Sequence, residues 1–125
     1  MNPIDALWQW LQEVPELAAM KQFRGVWRDQ PDNAGERLVS MVLNGGAQGT
    51  VETLYPRIRV LLMGPQGKRA DAKPLGDIAW DLALRMQNDY QACGVAQIRL
   101  IGGIIGPGYT TEDRAWYELN LELTV

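Results

Sequence analysis

Residues 116–125 read Trp116-Tyr117-Glu118-Leu119-Asn120-Leu121-Glu122-Leu123-Thr124-Val125. Tyr117, Leu119, Leu121, Leu123 and Val125 alternate with Trp116, Glu118, Asn120, Glu122 and Thr124. Side chains of a strand point to opposite faces with a period of two, so this run has one apolar and one polar face. That is the pattern of an antiparallel strand with one side on a core and the other in water. A sheet built around it needs a covering layer on its apolar side only.

Upstream of this run, Gly106-Pro107-Gly108 supplies turn residues, and 97–105 forms the partner strand of a hairpin, softened by Gly102-Gly103. Before the hairpin lies a helix over 74–88. Leu75, Ile78, Ala79, Leu82 and Met86 make its apolar stripe, and Asp77, Asp81 and Arg85 lie opposite. Asp81 and Arg85 are spaced for an i, i+4 ion pair, and Gly94 is placed to stop the chain's helical run. Three further strands precede the helix, over 23–28, 37–43 and 55–63. In the last of these Ile58, Val60 and Leu62 share one face and Arg57 and Arg59 the other, with Pro56 near the start, where a missing donor does least harm. Turn and loop signals at 30–35 and 44–49 separate the strands. The chain opens with a helix. Asn2 suits the N-cap, Pro3 the first helical position and Asp5 the first turn. Ile4, Leu7, Trp8 and Leu11 form its stripe, and Pro15 ends it before a short turn over 16–20. The order is α-β-β-β-α-β-β, read as one α+β domain over 1–125. It has two layers, a mostly antiparallel sheet with two helices on one face.

Composition narrows the chemistry. The chain has 125 residues, 46% hydrophobic and 22% charged, which suits one globular domain. There are no histidines and a single cysteine, Cys93. Histidine-based triads, imidazole metal sites, intramolecular disulfides and CxxC redox pairs are therefore excluded. Cys93 reads as a buried structural thiol. Twelve basic residues against fifteen acidic ones give −3, the wrong sign for a general nucleic-acid binder. The N-terminus lacks the basic and apolar regions of a secretory signal, and the longest apolar runs are too short to cross a bilayer. The expectation is a soluble cytoplasmic protein.

Local motifs favour structural readings. Gly64-Pro65-Gln66-Gly67-Lys68-Arg69 imitates the tail of a phosphate-binding loop, but Leu62 stands where a glycine is needed and Arg69 where Ser or Thr is needed. Gly102 to Gly108 lacks dinucleotide-binding spacing and reads as a turn. Asp77 and Asp81 share a helix face without further ligands for a cation. Glu112, Asp113 and Arg114 sit between turn and strand, where Asp113 would cap the turn and Arg114 pair with a carboxylate. Lys68, Arg69 and Lys73 are the only basic cluster, read as a solvated loop. Five tryptophans stand beside one phenylalanine. Trp8 and Trp80 fall on or beside core stripes. Trp10 is off its stripe and Trp116 is on the polar side of the last strand, which suggests either contact with another chain or cover for the sheet edge.

The element order, with Tyr55-Pro56-Arg57-Ile58-Arg59-Val60 opening a strand and the run from Gly106 to Tyr117 leading into the last one, resembles the tail terminator proteins of lambda-type long-tailed phages and prophages. The resemblance covers essentially the full chain. It implies a structural protein that caps the tail tube as a ring, ends tail polymerisation and presents a surface for joining the head. It implies no catalytic residues, cofactor or metal. Its partners would be further copies of itself, hexameric on the tail though monomeric when free, then the tail tube protein and the head completion or connector protein. Neither membrane nor specific nucleic acid is implied. Its place would be the virion tail, assembled in the bacterial host cytoplasm. A ring needs heterologous contacts. The candidate subunit or partner contacts are Trp10, Arg57, Arg59, Lys68, Arg69, Lys73, Tyr109, Asp113, Arg114 and Trp116. Two alternatives remain beside this reading. One is a generic α+β binding module. The other is a small enzyme using Glu112, Asp113 and Arg114, which would require a deep pocket at the end of the last hairpin.

Overall fold

The alternating runs pair, in a computed structural model that describes residues 3–24, 35–48, 54–89 and 97–124, into one five-stranded sheet. The elements are α1 (Pro3–Glu13), β1 (Lys21–Arg24), β2 (Leu38–Gln48), β3 (Leu54–Met63), α2 (Ala72–Asp89), β4 (Gln97–Tyr109) and β5 (Ala115–Thr124). Short 3-10 turns at Pro15–Leu17 and Arg69–Asp71 follow α1 and precede α2. The strand order is β1-β2-β3-β5-β4, in which only β1 and β2 run parallel. The fold is α+β, as the sequence pattern requires.

The period-two reading of β5 sets the core. Leu119, Leu121 and Leu123 are fully buried, opposite Ile58 and Val60 of β3 and Ile98 and Leu100 of β4 in the ladder. Val39 and Met41 of β2 extend the same face. Leu75, Ala79, Leu82 and Met86 of α2, with Leu7, Trp10 and Leu11 of α1 and Val14 just after it, join them in one cluster. Each fully buried large aliphatic side chain contributes roughly 1.5–3 kcal/mol relative to exposure.

Several boundaries differ from the sequence reading. The α1 stripe is rotated: Leu7, Trp10, Leu11 and Val14 are buried while Trp8 is at the margin. Both candidate stripes share Leu7 and Leu11. Only the second runs on through Val14 to the buried Leu17 in the following turn. The first strand is described over Lys21–Arg24, and the rest of the expected 23–28 strand lies outside the described residues, as do Asn2, Cys93 and Gly94. The glycine-rich stretch after Leu43 is not a plain loop. β2 continues to Gln48 through a register shift between Leu43 and Gly46, because its backbone still pairs with 54–56 of β3.

Gly106-Pro107-Gly108 is likewise no turn. It lies within β4, which shifts register at Gly102-Gly103, both with positive φ, and again between Ile105 and Gly108. Gly108 sits opposite Trp116, and a Cβ built there would fall 2.1 Å from the indole. Glycine is therefore required by the ring lying on the strand, not by chain reversal. The reversal comes afterwards. Thr110 N donates to Arg114 O at 2.9 Å and Asp113 N to Thr110 O at 3.0 Å, with Asp113 at φ 59.

Candidate functional site

The sheet's second face is built by the polar register of β5. Glu122 stands between Arg57 of β3 and Arg99 of β4, and Glu118 beside Arg59. Arg57 Nε lies 3.3 Å from one Glu122 oxygen and an Arg99 guanidinium nitrogen 2.9 Å from the other. Arg59 Nε approaches Glu118 at 3.4 Å. Three guanidinium groups thus surround two carboxylates on a face open to water. Exposed pairs of this kind contribute little to stability, typically 0–1 kcal/mol. Ile101 and Ile105 share the face through their pairing with Asn120 and Glu118. Ile105 is 41% exposed. At the opposite end the same face closes over, since Leu38, Ser40 and Met63 are buried.

The β4–β5 turn meets the loop that leads to α2. Arg114 is fully buried, and one guanidinium nitrogen donates to the carbonyls of Gly64 at 2.8 Å and Glu36 at 3.0 Å. The loop's own backbone is spoken for as well: Gly64 N donates to Ala115 O and Gly67 N to Glu112 O. An anion-cradling loop would need such N–H groups turned to a ligand. Arg37 grips Asp71 with two parallel bonds of 3.0 and 2.8 Å. That hydrogen bonding holds the Arg37 guanidinium above its usual pKa. Outside this buttress the turn is open. Arg69 pairs with Asp113 at 3.2 Å and its guanidinium lies 4.3 Å from the centroid of the Tyr109 ring.

On the helical side, α2 leans on β4 and β5, and a cavity of about 800 Å³ opens between them, lined by Gly76, Trp80, Leu84, Leu100, Ile104 and Tyr117 among others. Gly76 admits the Tyr117 hydroxyl, which would fall 2.7 Å from a Cβ there. Trp80 is 61% exposed and Leu84 44%. Arg85 pairs with Glu16 of the first 3-10 turn at 2.7 Å. The bond to Arg85 holds the Glu16 carboxyl below its usual pKa.

The candidate contact residues therefore separate. Arg57, Arg59, Lys68, Arg69, Lys73, Tyr109 and Asp113 have exposed or half-exposed positions, though they do not form one patch. Arg57 and Arg59 are on the sheet's open face, Arg69, Tyr109 and Asp113 at the β4–β5 turn, and Lys73 at the cavity rim. Trp10 is corrected to the core, at 7% exposure, because the α1 stripe turns toward it. Arg114 is corrected to the interior, where the carbonyls of Gly64 and Glu36 accept hydrogen bonds from its guanidinium. Trp116 is half-buried on Gly108 of the neighbouring strand, which is the sheet-covering role. Glu112 and Asp113 lie on an exposed turn, away from the cavity between α2 and the β4–β5 strands. No group of acidic or thiol side chains among the described residues could hold a metal ion. No helix among the described residues is long and apolar enough to cross a membrane.

Sequence reading set Trp80 on or beside the core stripe of α2, where the structure exposes it, and missed Leu84 on α2 and Arg99 and Ile105 on β4. The signal for Trp80 and Leu84 was present: Asp77, Trp80, Asp81 and Leu84 follow i, i+3, i+4, i+7, a second stripe opposite the core one.

A family model described as phage tail termination protein matches residues 1–125, the whole chain. No curated protein matches the chain.

Proposed function

The chain belongs to the phage tail termination protein family, a structural family of the phage tail, and on that premise we propose that it caps the growing tail tube as a ring. The ring ends tube polymerisation with one face and offers the other to the head completion or connector protein. The observation that carries this reading is the family match over the full length. The distribution of surface chemistry supports it. Its described features are strand edges, displayed turns, an arginine-bearing sheet face and an exposed helix tryptophan, all suited to protein contact. A ring requires two different patches on each subunit, and this fold offers one on each layer. The ring is hexameric on the tail, assembled in the host cytoplasm, while the free subunit can be monomeric until the tube end templates it.

The experiment is light scattering of the purified protein, alone and with tail tubes, together with negative-stain images of tube ends. A ring at the tube end, with or without one in free solution, is the expected result. A chain that stays monomeric and leaves tube ends bare overturns the reading.

A further inference from the structure

We propose that the outward stripe of α2 in one subunit docks on the open sheet face of a second copy of this chain, as the contact that repeats around the ring. This placement rests on the ring reading above and adds to it the two surfaces that meet.

The stripe is Asp77, Trp80, Asp81 and Leu84. All are exposed, and neither aspartate forms a salt bridge among the described residues. An exposed indole and leucine flanked by two carboxylates call for a receiving surface with cations beside apolar groups. The open sheet face has that composition. Arg57 and Arg59 on β3 and Arg99 on β4 outnumber Glu118 and Glu122, and Ile101 and Ile105 lie alongside. Among the described residues these side chains give the sheet face a net positive charge in a chain of net charge −3.

Spacing agrees as well as charge. Asp77 and Asp81, like Trp80 and Leu84, are one helical turn apart, about 6 Å at 1.5 Å per residue. Arg57 and Arg59 are two strand residues apart, about 6.6 Å. Ile101 and Ile105 stand opposite Asn120 and Glu118, again two residues apart on β5, because the Gly102-Gly103 shift absorbs the extra pair. A helix laid along the strands sets the aspartates against the β3 arginines and the apolar pair against the β4 isoleucines. β3 and β4 flank β5 about 10 Å apart, so one helix lying over β5 reaches both.

The two surfaces lie on opposite layers of one subunit and differ in chemistry, so their contact joins unlike patches. The contact is head-to-tail and propagates, closing when the rotation per subunit allows. Partly exposed charge pairs also make it salt-sensitive.

Charge reversal on each side, followed by mixing, tests the placement. D77K/D81K alters the helix stripe and R57E/R59E the sheet face. Sedimentation of each variant, free and on tail tubes, is compared with wild type. Each variant alone should lose assembly by about tenfold or more. A one-to-one mixture should recover it, because every contact in an alternating ring is then complementary. Circular dichroism melts establish that the variants fold. A milder second probe is W80C/I105C in a C93S background, which should give a ladder of covalent multimers on oxidation. Variants that assemble like wild type, or a mixture that recovers nothing together with no ladder, overturn the placement and leave the ring reading standing. A wild-type chain that assembles neither alone nor on tubes overturns both.

Discussion

Replacing Arg114 by methionine removes a buried guanidinium while keeping most of its apolar stem in place. In the native chain one of its nitrogens reaches both Gly64 O at 2.8 Å and Glu36 O at 3.0 Å. Those carbonyls belong to the end of β3 and the approach to β2, so a single side chain pins the β4–β5 turn to both. Hydrogen bonds to a charged group contribute about 1.5–3 kcal/mol each. Two such bonds set an upper figure near 6, and buried carbonyls left without a donor bear much of that cost. Deletion effects within one network are not additive, so the expected loss is about 3–5 kcal/mol. For a domain of this size that lowers Tm by roughly 10–20 °C. Urea titration followed by tryptophan fluorescence reads the change directly. R114K, with a shorter and more compact head, should fall between methionine and wild type. An exposed control, R69A, removes the pair to Asp113 and should cost less than about 1 kcal/mol. If R114M unfolds within about 1 kcal/mol of wild type, the guanidinium is not the clamp that its burial implies.

Further outcomes follow from other positions. W10A should cost about 3–5 kcal/mol, whereas W80A should cost well under 1, since Trp10 is 7% exposed and Trp80 61%. The two are compared by the same urea titration. G108A should destabilise by about 1–3 kcal/mol because its methyl group meets the Trp116 indole, and most of that penalty should vanish in a W116A background. A double-mutant cycle by thermal melting measures the coupling. The Glu16 carboxyl is held below its ordinary value of 4.5 by Arg85, so its contribution is complete above that pH and lost as pH falls through the depressed folded value. The stability gap between wild type and E16Q should therefore be constant near neutrality and shrink on acidification below about pH 4.5, as read by urea titrations at several pH values.

Much of the architecture was legible because period-two and helical patterns are written in neighbouring residues. Leu119, Leu121 and Leu123 announce both the strand and its buried side, and Leu75, Ala79 and Leu82 do so for α2. The errors fall where a local signal has two physical uses. Gly108 is a turn residue by statistics, but here it makes room for Trp116, a neighbour eight residues away on the adjacent strand. Trp10 and Trp8 are equally apolar. Which one faces the core depends on where the chain goes after Val14.

The candidate contact residues were harder to place for the same reason. Arg57 and Arg59 could be assigned to the polar side of β3 from alternation alone. That Arg99 joins them around Glu122 depends on β5 lying between β3 and β4, a pairing of distant segments. Arg114 had the composition of a displayed charge and became an interior tie, because the end of β3 and the approach to β2 bring two carbonyls to it.

By itself the sequence determined an α+β domain without histidine, with one cysteine, two amphipathic helices and a sheet with one apolar face. Those properties are local or additive, and each residue carries its share of them wherever the chain goes. Only the tertiary structure decided strand order, the burial of Trp10 and Arg114, and the display of Trp80 and Leu84 opposite a sheet face rich in arginine. These depend on which distant segments meet, and that is settled by packing and by satisfying buried backbone groups.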